Sequence, residues 1–277
     1  MRVFVLGSGS SGNALLVESR GTRVLVEAGL GPRVLVARLA ELGVELRPGE
    51  LHGIVATHEH GDHFGQAHAL ATTFEAPLFL HGGIEPPPPS KAPRSRPGSE
   101  RGSPPKPIEV RRYAVGDAVR IGDVTVSTVQ VPHDAAQVAV RVDDGSSALG
   151  VATDVGRVTP GLVSLLGECD AALVEANHCT EMLAFSDYPD VVKRRVGGGF
   201  GHLSNAQTAE LAARLVGSRM ARLWLGHLSR SNNTPARALE VVATRARRID
   251  VDVIPDATPV ALEVRSTKPY QLGLPFG

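Results

Sequence analysis

Cysteine is scarce in this 277-residue chain: Cys169 and Cys179 are the only two, too few for a disulfide framework. No thiol cluster competes with histidine for a metal, and a reducing cytoplasm fits. No stretch of about 18 apolar residues suggests a membrane span, and the opening residues 1 to 7 are too short for a signal peptide's apolar core. Net charge is missing as well. The 29 basic and 29 acidic side chains cancel, which excludes a global pull toward nucleic acid or anionic lipid and requires any polyanion to be held locally. What is present, at 42% hydrophobic content, is a globular cytosolic chain long enough to bury a core without staples.

Histidine is concentrated. Three of the ten histidines fall within His58-Glu59-His60-Gly61-Asp62-His63. The preceding residues 53 to 57, Gly-Ile-Val-Ala-Thr, are short, apolar and β-branched, which suits a buried strand. A loop leaving that strand would let His58 and His60 turn toward one point while Asp62 and His63 turn toward a second. Imidazole nitrogens with carboxylate oxygens suit zinc or manganese, with iron an option.

Residues 2 to 6, 14 to 18 and 22 to 27 read as strands joined by turns. Between the first two lies Gly7-Ser8-Gly9-Ser10-Ser11-Gly12, which matches the dinucleotide fingerprint. A strand follows instead of a helix, so the Rossmann reading fails. The glycines then serve a turn that brings backbone close to another strand or to the metal site, with tight packing the simpler role. Helical spacing marks residues 32 to 42 and 64 to 74, and 77 to 80 is a strand. Composition then shifts: residues 85 to 107 hold nine prolines and two glycines, and residues 86 to 112 carry seven Lys or Arg against two Glu. This is a basic, flexible insertion, read as a solvated loop or a flap that touches a polyanion, within a single domain spanning 1 to 277.

Strands resume at 109 to 113, 124 to 131, 137 to 142, 148 to 153 and 171 to 175. From Ser186 the pattern becomes helix, glycine-rich loop at 197 to 201, helix at 205 to 216, strand at 222 to 225 and helix at 235 to 247. Strands at 251 to 254 and 260 to 264 close the chain. The alternation argues an α/β architecture of two mixed sheets covered by helices on both outer sides.

One loop cannot fill two coordination spheres, so further ligands must come from other strand ends. His133 in Val-Pro-His-Asp, Asp154 in Ala-Thr-Asp and His227 in Leu-Gly-His each stand just past an apolar run. This series, with His-x-His-x-Asp-His, resembles the metallo-β-lactamase superfamily over nearly the whole chain. The resemblance implies a four-layer αβ/βα sandwich. It also implies one metal on His58, His60 and His133, a second on Asp62, His63 and His227, and Asp154 bridging them. Gly-Ser-Ser-Gly-Asn at 9 to 13, Val-Pro-His-Asp-Ala at 131 to 135, Glu-Ala-Asn-His at 175 to 178 and the two Gly-His-Leu-Ser strings at 201 and 226 are similar to the YycJ/WalJ branch, whose members are described as DNA exonucleases. Two positions depart: Glu27 stands where the superfamily usually has Asp behind the metal loop, and Cys179 where the branch commonly has Asp.

The implied activity is a phosphodiesterase, a DNA exonuclease, in which two divalent ions clamp attacking and leaving oxygens and share an ionised water. Asp62 would orient that water. His178 and His202 have the best context for further catalytic roles. His202 with Ser204 and Asn205 is read as an anion pocket at a helix start, Ser204 alternatively capping that helix. Ser229, Asn232 and Asn233 bind a nucleotide backbone or close their loop, one Asn capping the helix that Pro235 opens. His52, His68 and His81 are read as structural. Two other functions use the same residues: a thioester or lactone hydrolase of the glyoxalase II type, and a non-catalytic metal-binding regulatory module.

Overall fold

The computed structural model describes residues 1 to 88, 107 to 256 and 258 to 267. The proline-rich insertion expected at 85 to 107 lies outside the described residues from 89 to 106. In the first half, β1 (Arg2–Gly7), β2 (Ala14–Ser19) and β3 (Thr22–Val26) form an antiparallel meander. β4 (Gly53–Val55), β5 (Leu78–His81) and β6 (Val110–Tyr113) extend it with parallel pairings. The second half repeats the scheme. β7 (Ala118–Ile121), β8 (Val124–Val131), β9 (Gln137–Asp143) and β10 (Ala148–Ala152) pair antiparallel, and β11 (Ala171–Glu175), β12 (Arg222–Gly226) and β13 (Asp250–Val253) continue in parallel. β14 (Val260–Glu263) returns to pair with β1, completing two seven-stranded sheets.

Both faces of the central strands are buried, and the period of two sorts their side chains. Val3, Val5, Leu15, Val17, Val24 and Val26 point into the core shared with the second sheet, where Val140, Leu149, Val151 and Trp224 meet them. Phe4, Leu6, Leu16 and Leu25 point the other way, onto α1 (Pro32–Glu41) and α3 (Ala67–Phe74), which contribute Leu35, Leu39, Leu70 and Phe74. The second sheet is covered likewise by α4 (Pro160–Gly167), α7 (Asn205–Leu215) and α8 (Pro235–Ala246). Truncating Leu16 or Leu25, both fully buried, would leave a cavity costing about 2–5 kcal/mol.

Several elements differ from the sequence reading for identifiable reasons. The expected helix at 64 to 74 is two pieces, α2 (Gly61–Phe64) and α3, because Gln66 N–H is drawn off to Ala28 O at 2.9 Å. Asp62 and His63 therefore sit on a helical turn, not a loop. The sequence reading missed α4, whose Pro160-Gly161 opening resembles a turn but is capped by Thr159 accepting from Leu162 N–H. It also missed β7, a short and largely exposed edge strand. The helix placed after Ser186 is preceded by α5 (Thr180–Ala184) and resolves as α6 (Asp190–Val196), which buries no side chain.

Candidate metal centre

Strand direction brings the chemistry to one end of the sandwich. β3, β4, β10, β11 and β12 all carry their carboxyl ends to the same region, and Glu27, His58, Asp154, Glu175 and His227 stand at or just beyond those ends. Carboxyl ends of parallel strands are where open α/β sheets present ligand sites. Three of these residues hold left-handed backbone, with φ of 71° at Glu27, 58° at Asp154 and 52° at His227. Non-glycine residues adopt that region at a cost of order 1–3 kcal/mol, and such strain clusters at functional sites.

Among the described residues the side chains form four overlapping groups, two of them Glu27 with His58 and His63, and Asp154 with His202 and His227. His58, His60 and His133 bring one nitrogen each to within 4.8 Å of one another, and Asp62, His63 and His227 do the same with a carboxylate oxygen and two nitrogens. Asp154 lies between them. Its Oδ2 is 3.0 Å from His63 Nε2 and 3.6 Å from His227 Nε2, while its Oδ1 is 4.0 Å from His133 Nε2. His58 Nε2, His227 Nε2 and Asp154 Oδ2 are buried and hydrogen-bond to nothing among the described residues. Asp154 Oδ2 and His227 Nε2 meet only ion-pair neighbours, and a cation would complete these buried atoms. This donor set of imidazoles and carboxylates fits borderline divalent ions such as zinc or manganese.

Electrostatics without an ion tell the same story. Burial pushes His58 down to about 2, helped by the neighbouring His63 charge, so it offers a neutral imidazole. At His227 burial works in the same direction, but the Asp154 carboxylate outweighs it and holds the imidazole up at about 10. His63 is raised for the same reason, with Glu27 adding to Asp154. Asp154 itself is kept far below the usual carboxylate range, its burial overcome by His227 and His63. Protons here occupy the places that a metal would take.

Two buried glutamates hold the groups from behind. Glu27 Oε1 accepts from Thr57 Oγ1 at 2.6 Å and lies 3.1 Å from His63 Nδ1, and Thr57 Oγ1 also touches His58 Nδ1 at 3.0 Å. The longer carboxylate at 27 thus reaches both ligand-bearing segments. Glu175, fully buried, accepts from Val155 N–H at 2.6 Å and Leu203 N–H at 3.0 Å through Oε1. Its Oε2 lies 3.1 Å from His202 Nδ1 and 3.6 Å from His227 Nδ1. The glycine-rich turn also serves this centre. Ser8 Oγ accepts from His227 N–H at 2.9 Å, and Asn13 N–H donates to Asp62 O at 2.7 Å, with Asn13 Nδ2 2.8 Å from His63 Nε2.

A model of the beta-lactamase superfamily domain matches residues 22–227. This chain belongs to the metallo-β-lactamase superfamily. Within it, the chain is similar to exodeoxyribonuclease WalJ of Streptococcus pneumoniae, 30% identical over 250 residues that cover 90% of this chain and 89% of that protein. It is also 30% identical to exodeoxyribonuclease YycJ of Bacillus anthracis, over 83% of each chain. The fold is shared with YhfI of Bacillus subtilis (TM-score 0.65, 17% identity, 95% of this chain and 99% of that one) and with Zn2+-bound PqqB of Methylobacterium extorquens (0.67, 16%, 95% and 100%).

In this metallo-β-lactamase superfamily member the cluster floors a cleft of about 390 Å³ whose walls include His202, Ser229, Asn232, Tyr188, Arg195 and Arg230. His202 is protonated more readily than usual: its burial opposes this, and the Glu175 and Asp154 charges overcome it. The other residues expected to bind or react sit elsewhere. His178 is buried beside the cleft and absent from its wall, its titration pushed down to about 4 by burial. Ser204 is committed to a capping box, its Oγ accepting from Gln207 N–H while Gln207 Oε1 accepts from Ser204 N–H. Asn205 and Asn233 exchange amide hydrogen bonds of 2.9 and 2.8 Å and are buried. The cap of α8 is Thr234, not an asparagine. Polar residues at a helix start suit a cap and an anion equally well, so spacing alone does not separate the two uses. Glu175, Ser8 and Asn13 were given no role from sequence, since their partners lie as far as 219 residues away.

Proposed function

We propose that this protein is a dinuclear metal-dependent phosphodiesterase that degrades DNA as an exonuclease in the cytoplasm. The observation that carries it is Asp154, seated between two three-residue groups with one oxygen toward each. In this reading His58, His60 and His133 hold one divalent ion, Asp62, His63 and His227 hold the other, and Asp154 is shared. Bound there, two such ions, zinc or manganese, would supply polarisation of the phosphoryl oxygen and a more acidic water.

The chain's own residues supply the rest. Asp62 is half-exposed at the cleft, and despite partial burial His227 and His63 keep it ionised, so its carboxylate accepts a hydrogen bond from attacking water and aims it. His202 Nδ1 is engaged by Glu175, which leaves Nε2 for substrate. His202, which the Glu175 and Asp154 charges make easier to protonate against the effect of its burial, gives its proton to the departing alkoxide as a general acid. Ser229 and Asn232 face the same cleft and offer polar contacts to the nucleotide backbone. His178, behind the wall, acts through packing rather than on substrate. The names of the relatives, both exodeoxyribonucleases, support nucleic acid over other esters.

The test is direct: metal-loaded protein is given a 5′-phosphorylated DNA duplex, bis(4-nitrophenyl) phosphate and a glutathione thioester. Release of nucleotides from the duplex end, with hydrolysis of the simple diester, is expected. Cleavage of the thioester alone would replace this reading with a glyoxalase-type one.

A further inference from the structure

We propose that Arg195 and Arg230 form a two-point phosphate clamp flanking the metal cleft, which selects a polynucleotide over an isolated phosphodiester. The proposal rests on the phosphodiesterase reading and adds the substrate's neighbouring phosphates to it. Both arginines line the cleft, yet their side chains stay 68% and 63% exposed.

Each guanidinium is tethered at one edge by a single carboxylate. Arg195 Nε and Nη2 donate to Asp134 Oδ2 at 2.7 and 2.6 Å, and Asp134 Oδ1 rests 3.2 Å from His133 Nε2 and 3.5 Å from His60 Nε2. Arg230 Nε donates to Asp256 Oδ2 at 2.5 Å, and its Nη2 reaches Ser11 Oγ at 3.4 Å. One arginine is therefore fixed beside the His60–His133 group, and the other beside the glycine-rich turn and the loop that follows His227. Their remaining N–H donors meet no protein acceptor among the described residues.

Exposed ion pairs contribute little to stability, so these tethers do little for the fold; what they accomplish is orientation of a fork suited to phosphate. Gly9 fits this role. A Cβ there would come within 2.5 Å of Asp256 Oδ1, so glycine is what lets Asp256 reach the lip and hold Arg230. The cleft, at about 390 Å³, is near the small end of ligand pockets, roughly 300–1,000 Å³. It takes the reacting nucleotide, and the adjoining phosphates fall on the rim where the arginines stand. A chain with no net charge must grip a polyanion at chosen points, and these are two.

The experiment compares wild type, Arg195→Gln and Arg230→Gln, all metal-loaded, on a short oligonucleotide and on bis(4-nitrophenyl) phosphate. The ratio of the two kcat/KM values is expected to fall about tenfold or more for each substitution, since a hydrogen bond to a charged group is worth roughly that factor. The loss should lie in the oligonucleotide KM. For a cleavage-resistant phosphorothioate oligonucleotide, the slope of log Kd against log salt should shrink by about one per arginine. Unchanged ratios and salt slopes, in a wild type that cleaves both diesters, overturn the clamp alone. A wild type that cleaves neither diester overturns the underlying reading and the clamp with it.

Discussion

The two halves of the molecule build the same kind of site by different means. The first sheet delivers four candidate ligands from one six-residue segment after β4, whereas the second delivers His133, Asp154 and His227 from three separate strand ends. Behind each half stands one buried glutamate. Glu27 braces His63 and, through Thr57, His58; Glu175 braces His202, His227 and the backbone after Asp154. A segment that carries its ligands on consecutive turns needs bracing in a few places, while ligands from scattered strands depend on long-range hydrogen bonds for their mutual placement.

Asp154 joins the halves, so its removal is the largest expected effect. Asp154→Ala should lose both ions and reduce turnover by roughly 100-fold or more, the scale of a buried charge network deprived of one partner. Metal analysis beside activity checks this; full occupancy with normal turnover would place the shared ligand elsewhere. The glutamates should then separate the halves. Glu27→Gln is expected to weaken metal affinity about 10- to 100-fold, read by chelator competition, with kcat largely recovered at saturating metal. Glu175→Gln should leave a kcat deficit at saturating metal and shift the basic limb of the pH profile, because it releases His202 as well as His227. Identical behaviour of the two variants would erase the distinction between the halves.

Stability without metal provides a gentler probe. His227 is held at about 10 against an ordinary 6.5, so its stabilisation is complete below pH 6.5 and is lost as pH rises through about 10. Chelated protein should therefore lose thermal stability over that window. Metal-loaded protein should not, because there the same nitrogens bind an ion and carry no proton. Smallest of all, Ser204→Ala should cost about 1 kcal/mol through the lost cap, a shift of roughly 2–4 °C in Tm, with turnover unaltered. A selective loss of activity would return Ser204 to the site.

Legibility in the sequence followed the same division. His58 to His63 was readable from spacing alone because ligands close in sequence must be close in space. His133, Asp154 and His227 stood out only as polar residues after apolar runs, and their grouping came from resemblance. The sandwich was readable because Val, Leu and Phe alternate along strands buried on both faces. Glu175 was not, since a charged residue closing a strand resembles an ordinary strand end until His202 and His227 fold against it. The glycine-rich turn was underestimated: Ser8 and Asn13 hold ligand backbones contributed by distant segments, a contact that no local pattern encodes.

The central claim is that seven side chains surround two cations with Asp154 between them. Anomalous diffraction from crystals of the zinc-loaded protein tests it most directly. Two peaks about 3.5–4 Å apart are expected, one among His58, His60 and His133 and the other among Asp62, His63 and His227, each within bonding distance of an Asp154 oxygen. A single peak, or a pair that Asp154 does not touch, would contradict the account.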